Sequence, residues 1–286
     1  MKLRCAFGVV VAAAFAAQAA AQGPVTIKIA EPKAGEKVRV TEEEVSTSTT
    51  LIPGQPAKEE KGTRTLVYVE ECVTPPAESG KKSLKAIRTY EKIAGTKDGQ
   101  PLDPSLVGKP ITIEKKGDKY TFTAGGTAVT GPIAGILDQA YNKNDGPAAK
   151  EIIPTTPVKP GDNWKIDVKK ALAGLADDKL QIDLDKAAMS GKLVKAYAKD
   201  GVGYGVLEMK ASLPITGLGP KNPLTVKPGS SMTMTMTGDG CIDGTTATGD
   251  STTKMAIKID ASVMGVDITV TADVTQKKTT AQLPKK

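Results

Sequence analysis

Residues 231–237 read S-M-T-M-T-M-T, residues 255–263 read M-A-I-K-I-D-A-S-V, and residues 268–275 read I-T-V-T-A-D-V-T. In each stretch an apolar residue alternates with a polar one. Side chains on a β-strand point to opposite faces in turn, so this period predicts strands with one apolar and one polar face. Tight connections such as M-G-V-D at 264–267 predict that neighbouring strands run antiparallel.

The same alternation recurs along most of the chain. K-D-G at 199–201 separates two such runs and predicts a hairpin, in which Leu207, Met209 and Leu213 share one face. Two stretches, 133–141 and 168–175, instead repeat apolar residues at helical spacing. The sequence therefore predicts a mainly β protein, built of antiparallel sheet with two short helices.

The first 21 residues have the pattern of a cleavable secretory signal peptide. Lys2 and Arg4 precede an apolar run that ends in small residues. Ala19 and Ala21 suit a cut before Gln22, and Ala17 and Ala19 offer a second site before Ala20. The run is shorter than the ~20 residues of a spanning helix, so no transmembrane segment is expected after cleavage. We expect a periplasmic or extracellular protein.

The proline-rich stretch 152–161 is the best candidate for an internal boundary. It would divide the mature chain into β-rich halves, 22–156 and 157–286, or lie within one continuous domain. Aromatic residues make up only 3% of the chain, which predicts a core of aliphatic residues and methionine.

Composition excludes several chemistries. The chain has no histidine, which excludes histidine-based triads and histidine-containing zinc sites. Its basic residues are spread rather than clustered, and few aromatics accompany them, so nucleic acid is not an expected partner. No cofactor or metal site and no catalytic group is predicted.

Two weaker patterns could carry chemistry. Asp239, Asp243, Gly244 and Asp250 have partial calcium-loop spacing, but a strand-like segment precedes them and an Asp/Gly-rich turn is the favoured interpretation. S-x-x-K occurs at Ser79 and at Ser251 without the partner motifs of a Ser-Lys hydrolase. We predict that the protein is not an enzyme.

Two cysteines remain after removal of the signal. Cys72 and Cys241 form an even pair in a chain with an export signal, and oxidising compartments favour disulfides. The pattern predicts a Cys72–Cys241 bridge; the alternative is two unpaired thiols that behave as small apolar side chains.

L-V-G-K-P at 106–110, K-K-G-D-K-Y at 115–120 and P-V-K-P-G-D-N-W-K at 157–165 resemble a pattern of exported bacterial β-rich proteins of unassigned function. These are similar in outline to periplasmic lipoprotein carriers and their sensor relatives. The resemblance covers about the middle third of the chain and implies a sheet curved into a half-open barrel. It implies no catalytic residue.

A binding function is the leading hypothesis. The apolar strand faces, which carry Leu207, Met209, Leu213, Met232, Met234 and Met236, would either line a groove for a lipid-like ligand or partner segment, or pack as an ordinary core. Trp164, the only tryptophan, would be a core anchor or part of the ligand wall. The alternative function is a structural or interaction protein of the cell envelope with a filled core and no ligand.

Overall fold

The computed structural model describes residues 23–77, 81–97, 99–143, 149–172, 180–219 and 224–284. The strands are β1 Lys37–Leu51, β2 Lys58–Thr74, β3 Lys85–Lys97, β4 Gln100–Pro101, β5 Pro110–Lys116, β6 Lys119–Ala124, β7 Thr127–Ala128, β8 Asn163–Ile166, β9 Gln181–Ile182, β10 Ala188–Lys199, β11 Val202–Gly217, β12 Thr225–Val226, β13 Ser231–Cys241, β14 Gly249–Val263 and β15 Val266–Gln282. The helices are α1 Gly131–Asp138, which continues as a π-helical turn Gln139–Lys143, α2 Ala149–Ile152 and α3 Val168–Leu172. Helices α1 and α3 match the two predicted helices, although Leu175 of the second prediction lies outside the described residues, as does the predicted signal peptide 1–21.

All fifteen strands belong to one open antiparallel sheet. Its main order is β7-β6-β5-β3-β2-β1-β15-β14-β13-β11-β10-β8. The predicted fold class, an antiparallel sheet that is not closed, is therefore confirmed. The segments 22–156 and 157–286 supply opposite sides of this sheet and meet where β1 pairs with β15.

Each main strand carries one apolar and one polar face. Residues that pair directly across strands share a face, and the register aligns Ala211, Met234, Met255 and Val274 in one row across four strands. We call this the inner face. Thr235, Lys254 and Thr275 form the matching row on the outer face.

Helix α1 covers one side of the inner face. Its buried residues Ile133 and Leu137 pack in a cluster with Leu66, Tyr90 and Ile111 from β2, β3 and β5. The other side is covered by α3, through Leu172, and by the segments around residues 25–27 and 153–158. Strands β7 and β8 are consecutive in the chain but lie at opposite edges of the sheet. The connection between them begins with α1 and ends with residues 153–158, and both of these segments pack on the inner face.

A side chain covers part of one sheet edge. The Asn142 amide oxygen accepts a hydrogen bond from Tyr120 N (2.7 Å), and its Nδ2 donates to Tyr120 O (3.1 Å). An edge strand presents unpaired backbone groups that invite another chain. Asn142 therefore takes the place of a neighbouring strand beside β6.

Trp164 anchors the other edge. Its indole Nε1 donates to Ile152 O (2.8 Å), and its ring lies so close to Gly191 that a Cβ there would be 2.2 Å from Trp164 Cε2. The ring is half-buried in a cluster with Leu193 and Val158. Trp164 thus packs at this edge against Gly191 and beside a buried cluster.

The predicted disulfide is wrong. Cys72 and Cys241 are both free thiols. Cys72 lies on β2 and Cys241 on β13, and β1, β15 and β14 separate these strands. Four strand spacings amount to about 19 Å along the sheet, whereas a disulfide needs Cα atoms within about 7 Å. An export signal favours disulfides in general but says nothing about which strands are neighbours in a sheet.

Two hairpins share one turn geometry but differ in sequence. Asp200–Gly201 joins β10 to β11, and Met264–Gly265 joins β14 to β15; both residues of each loop have positive φ. This turn favours Asn-Gly and Asp-Gly. A left-handed conformation costs most other residues about 1–2 kcal/mol, and the Met264 side chain is 99% exposed. Neither the backbone nor packing within the described chain favours methionine there.

Candidate ligand-binding site

The centre of the inner face is an uncovered apolar surface. We call it the apolar floor, and it consists of Met255, Ile257, Ile259, Val270, Ala272 and Val274, which alternate along β14 and β15. All six side chains remain partly exposed, and none belongs to a described core cluster. The covers on either side of the sheet therefore leave a strip of aliphatic surface between them.

The apolar floor changes character from one side to the other. On the β13 side, Met232 and Met234 continue its rows. On the β1 side the same rows continue as Ser46, Ser48 and Thr50. An occupant would meet thioether and aliphatic groups on one side and hydroxyl groups on the other.

The predicted groove residues divide between packing and surface. Leu213 and Met209 are buried, and Leu207 packs against the cluster of Leu193 and Ala196. Met232 and Met234 pack in part against the cluster that contains Leu172, whereas Met236 is partly exposed and belongs to no described cluster. The sequence pattern indicates these residues as candidates for a groove, but it does not single out the floor beside them.

A depression of about 600 Å³ adjoins the methionines on the α3 side. Its lining includes Val168, Ala187, Met189, Ala211 and Met234. Met234 lines this depression and also pairs with Met255 of the floor, so the two apolar surfaces meet at Met234.

A band of charged residues crosses the inner face at one end of the floor. We call it the polar band, and it consists of Glu42, Glu44, Arg64 and Lys278. Arg64 Nη2 donates to Glu44 Oε2 (2.7 Å), and Lys278 Nζ lies 3.4 Å from Glu42 Oε1. Arg64 Nε is buried without a hydrogen-bond partner among the described atoms. Two positive and two negative groups make the band neutral overall.

Glu42 remains ionised within this band. Burial raises the pKa of its carboxyl group, but Lys278 and Arg88, together with the hydrogen bond from the Tyr68 hydroxyl (2.9 Å), lower it by more. The net effect is a pKa below the ordinary value of glutamate. The floor thus ends at a fixed set of charges rather than at neutral groups.

A buried ion pair fastens the α1 cover to the sheet. Arg88 is 5% exposed, and its Nε and Nη2 donate to Glu70 Oε2 at 2.8 and 2.6 Å. Its guanidinium lies 3.9 Å from the centre of the Tyr68 ring and 5.6 Å from that of Tyr141, in the π-helical turn after α1. Burial also raises the pKa of Tyr141, which keeps its hydroxyl protonated.

The patterns considered for catalysis and calcium do not assemble into sites in the described chain. Ser251 pairs with Lys278, which is on the inner face, whereas Lys254 pairs with Thr275, which is on the outer face, so Ser251 and Lys254 point to opposite sides of β14. Ser79 lies outside the described residues. Asp243 instead accepts hydrogen bonds from Thr245 N (2.9 Å) and Gly203 N (2.6 Å), as a turn residue does. Within the described residues no group of three His, Cys, Asp or Glu could hold a metal ion.

A search of the described helices for membrane spans finds none with the length and apolar character needed to cross a bilayer.

No protein-family model and no curated protein sequence matches the chain. Among solved structures, lipovitellin, studied for its lipid–protein interactions, is 8% identical with a TM-score of 0.40 and covers 89% of this chain and 26% of its own. A LolA superfamily protein from Nitrosomonas europaea is 11% identical over 90% of both chains, with a TM-score of 0.15. The attachment invasion locus protein of Yersinia pestis is 6% identical over 86% of this chain and 99% of its own, with a TM-score of 0.14. The chain spans about a quarter of lipovitellin, and similarity at this level leaves function to be argued from the residues.

Proposed function

We propose that this is a non-enzymatic binding protein that holds an apolar, lipid-like ligand on the apolar floor. The observation that carries the proposal is the set of six apolar side chains along β14 and β15. They remain partly exposed between two covered parts of the inner face. Apolar side chains contribute to stability in proportion to the area they bury. A contiguous uncovered strip therefore points to an occupant.

The shape of the strip favours a chain-like occupant. From Met255 to Ile259 the floor runs along the strand for about 14 Å, at 3.4 Å per residue. Each methylene buried there would contribute about 0.8 kcal/mol to binding. The hydroxyl groups of Ser46, Ser48 and Thr50 on one side, and the polar band at one end, suit an amphipathic molecule.

We further propose that the protein acts outside the cytoplasm, as a mature chain that begins at Gln22. The residues that support this are the basic start, the short apolar run and the small residues at the −3 and −1 positions. A carrier or holder of lipid in that compartment needs no catalytic group.

A matched pair of variants tests the ligand site. Ala272→Asp places a carboxylate in the middle of the floor, whereas Thr271→Asp places the same charge one residue earlier, on the outer face opposite Lys258. Loss of contact with about three methylenes corresponds to about 2.4 kcal/mol, or roughly fiftyfold in Kd. Titration with a fluorescent fatty acid should therefore show weaker binding by Ala272→Asp and unchanged binding by Thr271→Asp.

Ala272→Phe provides a second test, because it fills the floor without adding charge and should also weaken binding. Native mass spectrometry of protein purified from the envelope of its own cells should show a bound lipid mass. Equal affinities of all three variants and the parent, with no bound lipid, would contradict the proposal. That result would favour the alternative of a structural or interaction protein of the envelope.

A further inference from the structure

The inner face changes from apolar to charged where the apolar floor meets the polar band. Val274 ends the floor on β15, and Lys278 lies four residues further along the same face. On β1, Glu44 lies one inner-face position beyond Ser46. We infer that this junction is a head-group site for a lipid with a zwitterionic head, in which Lys278 binds the oxyanion and Glu44 binds the ammonium. The inference rests on the proposed function, because the tail of that lipid would lie on the floor.

The inner face is open to a charged head at one end of the floor only. Beyond Ile259 the face is closed, since Ala261 is 2% exposed and pairs with Val226 of β12. At the other end, members of the polar band are partly exposed. A charged group is costly to place in apolar surroundings unless it is paired. A lipid on the floor therefore directs its tail toward Ile259 and its head toward the band.

The polar band has two mostly buried members, Glu42 and Arg64, whose side chains are 14% and 13% exposed. Lys278 and Glu44 are more open, at 45% and 29%. Lys278 Nζ has one carboxylate partner among the described residues, Glu42. Glu44 binds Arg64 through Oε2, and its Oε1 has no partner among the described atoms. The band thus presents one cation and one anion to an occupant.

The position of these two groups suits a head that carries both charges. Glu44 pairs with Gln276, so Lys278 is its diagonal neighbour across β1 and β15. Side chains in that relation have Cβ atoms about 7 Å apart, and both are long enough to reach one molecule between them. The band is neutral before a ligand binds. A singly charged head would leave a net charge in a partly buried place, whereas a zwitterionic head keeps the band neutral and gives each exposed group a partner.

Three lipids with the same dodecanoyl chain and different heads test the inference. Lysophosphatidylcholine carries a phosphate and an ammonium, lysophosphatidylglycerol carries the phosphate alone, and monododecanoylglycerol is uncharged. An ion pair at a partly exposed site is worth up to about fivefold in affinity. Calorimetric titration below the micelle concentration should therefore show that the parent binds lysophosphatidylcholine about fivefold more tightly than lysophosphatidylglycerol.

Two variants test the separate roles of the charges. Glu44→Gln should weaken the binding of lysophosphatidylcholine about fivefold and remove its advantage over lysophosphatidylglycerol. Lys278→Gln should weaken both phosphate-bearing lipids about fivefold and leave monododecanoylglycerol unchanged. Glu43→Gln and Lys277→Gln are the matched controls, because each removes the same charge one residue away on the outer face. Both controls should bind all three lipids as the parent does.

The ratio of two affinities measured on one preparation does not depend on the fraction that is folded, so a loss of stability cannot imitate the result. Equal binding of the two phosphate-bearing lipids by the parent, or a preference that survives Glu44→Gln, would overturn the head-group site. If Ala272→Asp still weakens all three lipids in that case, the ligand site on the floor stands. If the parent binds none of the three lipids, the ligand site is wrong and the head-group site falls with it.

Discussion

Removal of the Glu70 carboxylate should strongly destabilise the fold. Arg88 is almost fully buried, and it donates two hydrogen bonds to Glu70 Oε2, at 2.8 and 2.6 Å. Glu70→Gln would leave the buried guanidinium without the carboxylate that it hydrogen-bonds, and breaking a buried ion pair costs about 3–5 kcal/mol. The Glu70 side chain is 24% exposed, so we expect the lower end, about 3 kcal/mol.

Urea denaturation followed by circular dichroism at neutral pH measures this loss. The unfolding midpoint should fall with an unchanged m-value, since the surface exposed on unfolding stays the same. The control is the double variant Glu70→Leu with Arg88→Met, in which no buried charge remains, and it should recover most of the lost stability. A loss below about 1 kcal/mol for Glu70→Gln, or simple additivity in the double variant, would refute the reasoning.

Two further predictions concern ionisation and the thiols. The pKa of Glu42 is lowered in the fold, so its contribution to stability is present above the ordinary glutamate pKa of about 4.3 and is lost as the pH falls through the lowered value. Glu42→Gln should therefore reduce the fall in melting temperature at acid pH. An unchanged acid dependence of the melting temperature would contradict this. Denatured, unreduced protein that lacks the signal should titrate two thiols, from Cys72 and Cys241. Detection of no free thiol would contradict the separation of Cys72 and Cys241 in this fold.

Local pattern predicted the strands, their two faces and the two helices, because alternation and helical spacing are properties of neighbouring residues. It predicted the hairpin pairs β10–β11 and β14–β15, but not the pairing of strands that are distant in the chain, such as β1 with β15. In E-E-E at 42–44, for example, Glu42 and Glu44 lie on the inner face and Glu43 on the outer, and this assignment depends on pairing with β15. The sequence does not reveal the polar band, because each of its charged residues lies in a stretch that resembles an ordinary solvent-exposed strand.

Only the part of the candidate site that depends on local alternation could be predicted from the sequence. The alternating period indicates one shared face for Met232, Met234 and Met236; the structure places Met232 and Met234 beside the floor and Met236 one row beyond it. How much of each would be covered by α3 depends on long-range packing that the sequence pattern does not contain. The contact of the Trp164 ring with Gly191 likewise depends on the pairing of β8 with β10, which the local pattern does not contain.

The pairing of the first long strand with the last sets the order in which the molecule can be completed. A ribosome makes β1 well before β15, yet the two are neighbours at the centre of the sheet. Until the C-terminal residues arrive, each half of the sheet has a long, bare edge that invites the wrong partner. Closing a ladder between strands so distant in the chain is slow. Until β15 pairs with β1, any sheet formed from the earlier strands therefore keeps an exposed edge, and a chaperone would have most to protect at that stage.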